Sequence, residues 1–488
     1  MRMCHRFDFR SSRPAGTSER PRGPRLRIAM VCAHSNPLGP LGRRDTGGMS
    51  VYIREMSRAL ASLGHMVDLF VGEPLDGPTF LDNEESKETL QRYFGPNVHW
   101  VSVPCSTKAP HNPSELIKTT KSFHQAILRA SQDQAVWTKT LPAAFEHHLK
   151  HTGNAKTKQR PFDVIFSHYW LSGLAGLATA HSLHLPHVIM FHTLAHSKAE
   201  ALGRTVDSSC RVCAEHLVAS QSHGVLAPTD SEKEALMTHY GVSPSRIAVV
   251  PCGVDGCLFR PKDRLSARRQ LQLPLDALVY LFVGRLDPIK GLERLFDAFA
   301  RLPRSIPARL LVVGGDVSEE KSLEAFRKMV EAHGLSRRVI FAGRVEQARL
   351  PDFYAAADAL VIASHYESFC LVALEALASG TPVVGPPVGV LPEVLSRPEA
   401  GVLLRDNSPE ELLRGLTAIA KDRSGTDARH VAVRRDISLR YSWNRVAQDL
   451  AQALSDLIYP DGIFKDERET GFNGLHRCSR YCSASGRS

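Results

Sequence analysis

Residues 278–291 have the sequence LVYLFVGRLDPIKG, which joins a predicted strand to a charged loop. The first six residues are all apolar, and an unbroken apolar run predicts a strand buried on both faces, as in a parallel sheet covered by helices. The loop carries Arg285 and Lys290. Arg offers a forked pair of donors and Lys a point charge, a combination suited to a diphosphate. Taken alone, two solvated loop charges explain the segment equally well.

Apolar runs of the same kind alternate with helical patterns along both halves of the chain. This alternation predicts an α/β fold with two Rossmann-like, doubly wound parallel-sheet domains, 26–250 and 251–440, that face each other across a cleft. The boundary is expected near 251–275, where Pro and Gly interrupt the pattern. The predicted strands are 27–31, 66–71, 98–103, 162–167, 187–191, 224–227, 247–250, 278–283, 308–313, 339–342, 359–363 and 382–384.

The remaining segments are expected to lie outside the two sheets. They are a disordered leader (1–25), a polar insertion in the first domain with only a weak helical pattern (105–160), a C-terminal helix (441–458) and a disordered tail (459–488). The concentrated positive charge of the leader and the low apolar content of the tail are the basis for expecting disorder there.

The net charge of +10 is concentrated in the leader. Residues 1–27 contain eight Arg against one Asp and one Glu, so the remainder is close to neutral and a nucleic-acid binder is not favoured. An Arg-rich leader also fits a transit peptide, although a non-native or floppy extension is the preferred explanation.

Other features favour a cytoplasmic protein without a metal. No apolar run reaches the roughly 18 residues of a membrane span, so at most peripheral membrane contact is expected. Ten cysteines in 488 residues are too few for a disulfide framework, which favours a reducing cytoplasm. Cys210 and Cys213 lack a second pair at zinc spacing, and His147, His148 and His151 have no carboxylate at ligand spacing. A homodimer is compatible with the sequence.

A second informative segment, 367–375, places Glu367 and Glu375 eight residues apart. In a continuous helix this spacing is about 12 Å at 1.5 Å per residue, which suits the two ends of an extended ligand rather than a shared proton. A helix that starts near Phe369 would also turn its free N–H groups towards an anion. The alternative is a helix-terminal acid plus an ordinary surface Glu.

Two further segments are candidates for ligand contact. Gly47 and Gly48 precede a helical pattern, where paired glycines allow a ligand to approach the backbone, although a plain turn is the simpler explanation. His192 ends a predicted strand, where an imidazole can contact a sugar hydroxyl or act structurally.

Together these segments resemble the retaining family 4 glycosyltransferases of the GT-B fold. The resemblance covers residues 26–457, and its most specific parts are the Glu-x7-Glu segment, the Gly-Arg...Lys-Gly loop and the sequence ASGTPVV at 378–384. Within the family the chain is most similar to the D-inositol 3-phosphate glycosyltransferases of mycothiol synthesis, followed by the sucrose-phosphate synthases. The resemblance implies transfer of a hexose or N-acetylhexosamine from a nucleotide sugar, expected to be UDP-linked, to a hydroxyl acceptor, with no cofactor and no required metal.

The resemblance also implies a donor site. Arg285 and Lys290 would grip the diphosphate, Glu375 would bind the nucleotide ribose, and Glu367 would bind hydroxyls of the transferred sugar. His192 would lie near the reacting centre and forms the catalytic set with Glu367. The other implied donor contacts are Gly48, Phe369, Cys370, Leu371 and Val372.

The implied acceptor site is less complete. Ser50 stands where the inositol enzymes carry Asn, and no lysine can be placed where they bind the acceptor phosphate. Cys370 and Val390 replace two glycines that are usual in the family. The implied acceptor contacts are His34, Asp45, Thr46, Gly47, Gly48, Met49, Ser50, Tyr169, Thr193 and Arg211.

Two other functions on the same fold stay open. A nucleotide-sugar epimerase would turn over the donor without an acceptor. A non-catalytic nucleotide-sugar sensor would bind the donor without transferring the sugar, and the departures at Cys370 and Val390 keep this function in consideration.

Overall fold

The strands of the computed structural model form two separate sheets, and every strand pairing in both is parallel. The structure describes residues 25–39, 41–42, 46–73, 84–105, 113–132, 161–315, 320–421 and 427–458. The strands of the first sheet are β1 Arg27–Cys32, β2 Met66–Glu73, β3 Val98–Pro104, β4 Val164–His168, β5 His187–Met190, β6 Gly224–Ala227 and β7 Ile247–Val249. Those of the second are β8 Leu278–Val283, β9 Ala308–Val313, β10 Val339–Gly343, β11 Ala359–Val361, β12 Val383–Gly385 and β13 Gly401–Leu403.

Helices connect successive strands and cover both sheets. Those of the first half are α1 Gly48–Ser62, α2 Glu84–Phe94, α3 Pro113–Gln132, α4 Tyr169–Leu183, α5 Ala195–Leu202, α6 Ser209–Gln221 and α7 Asp230–Tyr240. Those of the second half are α8 Arg264–Gln270, α9 Leu292–Arg301, α10 Glu320–Ala332, α11 Leu350–Ala356, α12 Leu371–Ala378, α13 Leu391–Val394, α14 Pro409–Lys421, α15 Asp427–Arg440 and α16 Trp443–Ile458. Short 3₁₀ turns span Pro244–Arg246, Pro288–Lys290, Gln347–Arg349 and Pro398–Ala400.

The strand order confirms the predicted fold class. The first sheet has the order β3-β2-β1-β4-β5-β6-β7 and the second the order β10-β9-β8-β11-β12-β13. In both, the chain reverses its direction of travel across the sheet beside the first strand, and ligands of such folds bind at the carboxyl ends of the strands at that point. All twelve predicted strands are present, and β13 was missed because it is a three-residue, half-buried edge strand.

Part of the predicted polar insertion is a helix of the core. In α3 the side chains of Leu116, Phe123 and Ile127 are buried in the apolar cluster on the outer face of the first sheet. Their spacing places them on one helical face, but large apolar residues are sparse along the helix, which explains why the pattern was weak. Residues 106–112 and 133–160 lie outside the described residues.

The chain crosses between the two sheets twice, and the crossings touch. The Val254 N–H donates to the Tyr441 carbonyl oxygen at 2.7 Å, and Val254 forms a parallel bridge with Ser442. After this second crossing α16 packs against α1 of the first half, with the Trp443 ring 5.9 Å from that of Tyr52. The C-terminal helix therefore belongs to the core of the first sheet.

We expect Leu450→Ala in α16 to lower the free energy of unfolding by about 2–5 kcal/mol, because it leaves a cavity in this core. Leu450 is 0% exposed and Leu439 is 64% exposed, so Leu439→Ala is the control and should change stability by less than about 0.5 kcal/mol. Denaturant titration of both variants measures the difference, and equal effects would contradict the packing described.

Candidate active site

Two loops at neighbouring strand ends form one side of the site. β8 leads into residues 284–291 and β11 into residues 362–370, and the two strands pair directly. Gly291 has φ of +62°, and a Cβ at this position would lie 2.1 Å from the carbonyl oxygen of Ala363. Only glycine allows the loops to meet this closely.

The contact between the loops brings together two residues that the sequence singled out separately. The Lys290 ammonium donates to Glu367 Oε1 at 2.7 Å, and the Ser364 hydroxyl donates to the same oxygen at 2.6 Å. Arg285 lies in the same loop, 3.7 Å from Asp287 and partly exposed. Both predicted cations thus lie at this sheet edge. The ion pair between Lys290 and Glu367, which was not predicted, joins the first loop to the second.

The helix that follows Glu367 starts slightly later than predicted. α12 begins at Leu371 rather than near Phe369, and Leu371 and Val372 open it without an acidic residue in the first turn. Cys370 precedes the helix with φ of +82°. Such a left-handed conformation costs a residue other than glycine roughly 1–2 kcal/mol, which gives a physical reason for the glycine usual at this position. Burial raises the pKa of the Cys370 thiol far above its ordinary value, so the thiol is protonated.

The second departure from the family pattern is accommodated without strain. Val390 has φ of −81° and is 1% exposed, and its N–H donates to the Phe369 carbonyl oxygen at 2.8 Å. The close approach is made by Gly389, where φ is +55° and a Cβ would lie 2.3 Å from the same oxygen. Val390 therefore supports the loop beside the helix start.

Glu375 lies inside α12 and is buried. One of its carboxylate oxygens accepts from the Tyr354 hydroxyl at 2.8 Å and the other from the Gln347 amide at 3.2 Å. Burial raises the pKa of Glu375. Gln347 in turn accepts from Arg54 of α1 at 2.5 Å, so this network links the two halves of the molecule. The implied contact with a ribose stays a prediction.

The start of α1 faces the start of α12. A Cβ built at Gly48 would lie 3.4 Å from Leu371 Cδ1, and Gly47 caps α1 with an extended backbone. Thr46 before it is buried, and Asp45 lies outside the described residues. Two helix N-termini therefore converge beside Lys290, and their free N–H groups and dipoles favour an anion between them.

The next residues of α1 point into the protein. Ser50 is 0% exposed and its hydroxyl is hydrogen-bonded to that of Ser35, while Met49 packs against the core between the sheets. A contact between an acceptor and the Ser50 hydroxyl, as the resemblance implied, would first require this hydrogen bond to break.

His192 is held in a strained conformation beside a second histidine. Its φ is +62°, and its Nε2 lies 3.0 Å from Nδ1 of the buried His168. The Tyr52 ring meets the His192 ring edge-on at 5.2 Å. Burial lowers the pKa of His192 to about 3, so the imidazole is neutral near pH 7 and can donate or accept one hydrogen bond without carrying charge.

Four of the implied acceptor residues form one cluster. The Tyr169 ring stacks on His34 at 5.2 Å, and the Arg211 guanidinium lies 5.0 Å from the centre of the Tyr169 ring. Arg211 donates to the Tyr169 hydroxyl at 3.0 Å and to the carbonyl and hydroxyl oxygens of Thr193 at 2.9 and 3.0 Å. The structure thus brings together His34, Tyr169 and Thr193 from three separate strand ends and Arg211 from helix α6.

The acidic partners of Arg211 were missed from the sequence. Arg211 is 4% exposed and donates to Glu215 at 2.7 Å and to Asp207 at 3.0 Å. The i,i+4 spacing of the two acids on either side of Arg211 is the signal that could have identified them. Contact with an acceptor phosphate stays a prediction for Arg211, whose guanidinium bonds to four protein side chains.

Two family models match the chain, one in each half. Residues 47–253 match the Glycosyl transferase 4-like domain and residues 263–435 match the Glycosyl transferases group 1 domain. The first range covers α1 and most of the first sheet, and the second covers the second sheet and the Lys290–Glu367 pair.

Relatives and solved structures agree with these models. The chain is 34% identical over 447 residues to a D-inositol 3-phosphate glycosyltransferase of Stackebrandtia nassauensis, covering 90% of this chain and 93% of the relative. Sucrose-phosphate synthase from Thermosynechococcus elongatus superimposes with a TM-score of 0.71 at 25% identity, covering 90% and 100% of the two chains. Anabaena HepE in complex with UDP-glucose shares the fold, with a TM-score of 0.63 at 18% identity over 88% and 100%.

The GT-B fold and the two matching family models place the chain in the class of glycosyltransferases. The chain belongs to the group 1, family 4-like glycosyltransferases and is a hexosyltransferase that uses a nucleotide sugar. Within the described part of the chain, no helix combines the length and apolar character of a membrane span.

We expect Cys370→Gly to be more stable than Cys370→Ala by about 1–2 kcal/mol, because only glycine adopts the left-handed conformation without cost. Ala376→Gly, inside α12, is the control and should lose about 1 kcal/mol, as glycine does in a helix interior. Unfolding by denaturant compares the three variants. An alanine variant as stable as the glycine variant would contradict the strain at Cys370.

Proposed function

We propose that the enzyme transfers a hexose or N-acetylhexosamine from a UDP-sugar to a hydroxyl group of a small phosphorylated polyol or sugar, with retention of anomeric configuration. The observation that carries the proposal is the Lys290–Glu367 ion pair beside the converging starts of α1 and α12. The helix starts offer positive potential for a diphosphate, and the ion pair offers an ammonium donor for phosphate oxygens and a carboxylate for sugar hydroxyls within one loop contact. The inositol-phosphate relatives and the UDP-glucose bound to HepE support the choice of substrates.

In this proposal the departing UDP is stabilised by electrostatics. Arg285, Lys290 and the free N–H groups of α12 lie where negative charge develops as the bond between C1 of the sugar and the diphosphate oxygen breaks. The acceptor oxygen bonds to C1 on the same face, and its proton passes to the departing phosphate. Glu367 orients the sugar and does not form a covalent bond, so the two-carboxylate scheme of glycosidases is not invoked.

The acceptor side follows from the same proposal. Tyr169 and Thr193 follow strands of the first sheet, beside His192, and with Arg211 of α6 they supply aromatic, hydroxyl and cationic groups. A phosphorylated polyol matches this chemistry, because its hydroxyls and phosphate accept and donate hydrogen bonds in the same small volume. Closure of the two halves over the substrates would exclude water and limit hydrolysis of the donor.

The deciding experiment is a matrix of UDP-, GDP- and ADP-sugars against D-inositol 3-phosphate, fructose 6-phosphate and no acceptor, with nucleotide release as the readout. We expect release from a UDP-sugar that depends on a phosphorylated acceptor, persists in EDTA, and gives a product of retained configuration by NMR. Conversion of the donor to its epimer without an acceptor and without nucleotide release, followed by NMR, would indicate the epimerase, and binding without turnover would indicate the sensor. If no nucleotide sugar binds, the proposal fails.

We expect Lys290→Ala to lower kcat/KM by about 10²–10³, the usual loss for one group that stabilises transition-state charge. Lys262 is a matched control, because it pairs with Asp352 at 2.6 Å and is more exposed. Lys262→Ala should stay within about twofold of the wild type, since exposed ion pairs contribute little. Steady-state kinetics with the substrates found above tests both, and equal losses would argue against a role for Lys290.

We expect His192→Ala to lower kcat about 10- to 100-fold, because the hydrogen-bonding ring of His192 is lost, without changing the shape of the pH–rate profile. The reason is that burial lowers the pKa of His192 to about 3, so the imidazole does not titrate between pH 5.5 and about 8. The test compares kcat of both proteins across this range. A wild-type limb near pH 6.5 that vanishes in the variant would contradict a neutral His192.

A further inference from the structure

Glu232 lies in the first turn of α7, in a sequence pattern that local helix capping would explain. The Thr229 hydroxyl caps the helix by accepting from the Glu232 N–H at 3.2 Å. In a capping box, a Glu at this third position returns its side chain to the N–H of the capping residue. The Glu232 carboxylate makes no such bond and turns instead to the second half of the molecule.

The carboxylate contacts both neighbours of Glu367. Glu232 Oε2 accepts from the Ser368 hydroxyl and from the Tyr366 hydroxyl, the latter at 3.2 Å. Glu232 is 4% exposed. Glu367 itself accepts from Lys290. Glu232, a buried acid of the first half, is therefore hydrogen-bonded to both residues that flank Glu367, the proposed sugar-binding acid.

The same contacts reach the acceptor side. The Tyr366 hydroxyl accepts from the Leu194 N–H at 3.3 Å while it donates to Glu232. Leu194 follows His192 and Thr193 in the loop after β5. A directed chain of hydrogen bonds thus joins the loop that carries His192 to the loop that carries Glu367, and such chains strengthen each member.

The protonation state of Glu232 defines its best substitute. Burial raises the pKa of Glu232 to about 7, although the hydroxyl groups of Ser368 and Tyr366 lower it. A substantial share of the protein therefore carries a neutral Glu232 near pH 7. Gln matches the shape and charge of that neutral form and keeps a carbonyl oxygen where Oε2 accepts its two hydrogen bonds.

We infer that Glu232 is a positioning residue that acts across the cleft, fixing Tyr366 and Ser368 and thereby aiming Glu367 at the transferred sugar. The inference rests on the proposed function for the role of Glu367. If so, the first half of the chain contributes to donor specificity, because the contact between Glu367 and the sugar depends on Glu232, which the donor does not touch.

The test is a double-mutant cycle on the full chain, with UDP and UDP-glucose as probes in titration calorimetry. We expect Glu232→Ala to weaken UDP-glucose about tenfold, while UDP affinity stays within about twofold, since only the sugar contact is misaligned. Glu232→Gln should restore UDP-glucose binding to within about threefold of the wild type. Glu234→Ala, on the exposed side of the same helix, is the matched control and should leave both affinities unchanged.

The cycle separates positioning from a general structural role. In a Glu367→Ala background, Glu232→Ala should have no further effect on UDP-glucose binding, because Glu232 acts through Glu367. Additive losses, or an equal loss of UDP affinity, would overturn the inference. Failure of Glu232→Gln to restore binding would also overturn it.

A second measurement needs no ligand. We expect amide hydrogen exchange of residues 364–370 to rise in Glu232→Ala and in Tyr366→Phe, and to match the wild type in Glu232→Gln. If the wild type binds neither UDP nor UDP-glucose, the proposed function fails, and exchange then decides whether Glu232 holds this loop. Unchanged exchange in Glu232→Ala would refute the inference whatever the substrate.

Discussion

Every strand in both sheets runs parallel to its neighbours, and the location of the candidate active site follows from this constraint. Parallel strands all end at the same edge of a sheet, so the loops that follow them gather there. The helices that follow those loops begin at these edges, α1 on the first sheet and α12 on the second, and the starts of the two helices meet. The location of the site is therefore set by the topology of the backbone, and the side chains determine its chemistry.

The side chains then set the electrostatic balance of this edge. Lys290 and Glu367 neutralise each other in a half-buried pair, which is less costly than burying either charge alone. The two helix starts add the partial positive charge of their free N–H groups, and Arg285 lies in the same loop as Lys290, 3.7 Å from Asp287. A ligand with a negative and a hydroxyl-bearing part matches this arrangement, because each part finds a group of complementary character within one small volume.

The sequence predicted those features that depend on residues close to one another along the chain. Unbroken apolar runs predicted the buried strands correctly, and the cations of the 284–291 loop lie at the expected sheet edge. The Lys290–Glu367 bond was not predictable because its partners are 77 residues apart. The direction of the Glu232 side chain was hidden for a related reason, since a helix-capping pattern is satisfied locally whether or not the carboxylate turns away.

Single-residue departures from the family pattern needed the backbone angles for their explanation. Cys370 and Val390 both replace a usual glycine, yet only Cys370 has a positive φ. The sequence identified the positions but could not say which of them is strained. The distinction lies in whether the backbone at that residue is left-handed, a property that one sequence does not reveal.

The two chain crossings, joined between Val254 and the Tyr441–Ser442 segment, have a mechanical consequence. Because the two covalent links lie side by side, any rotation of one half relative to the other would have its axis near these residues. Gly253 lies near this axis, where a Cβ would come within 2.5 Å of the Trp443 ring. A larger side chain at residue 253 would therefore collide with the Trp443 ring and limit how far the two halves could rotate at the cleft.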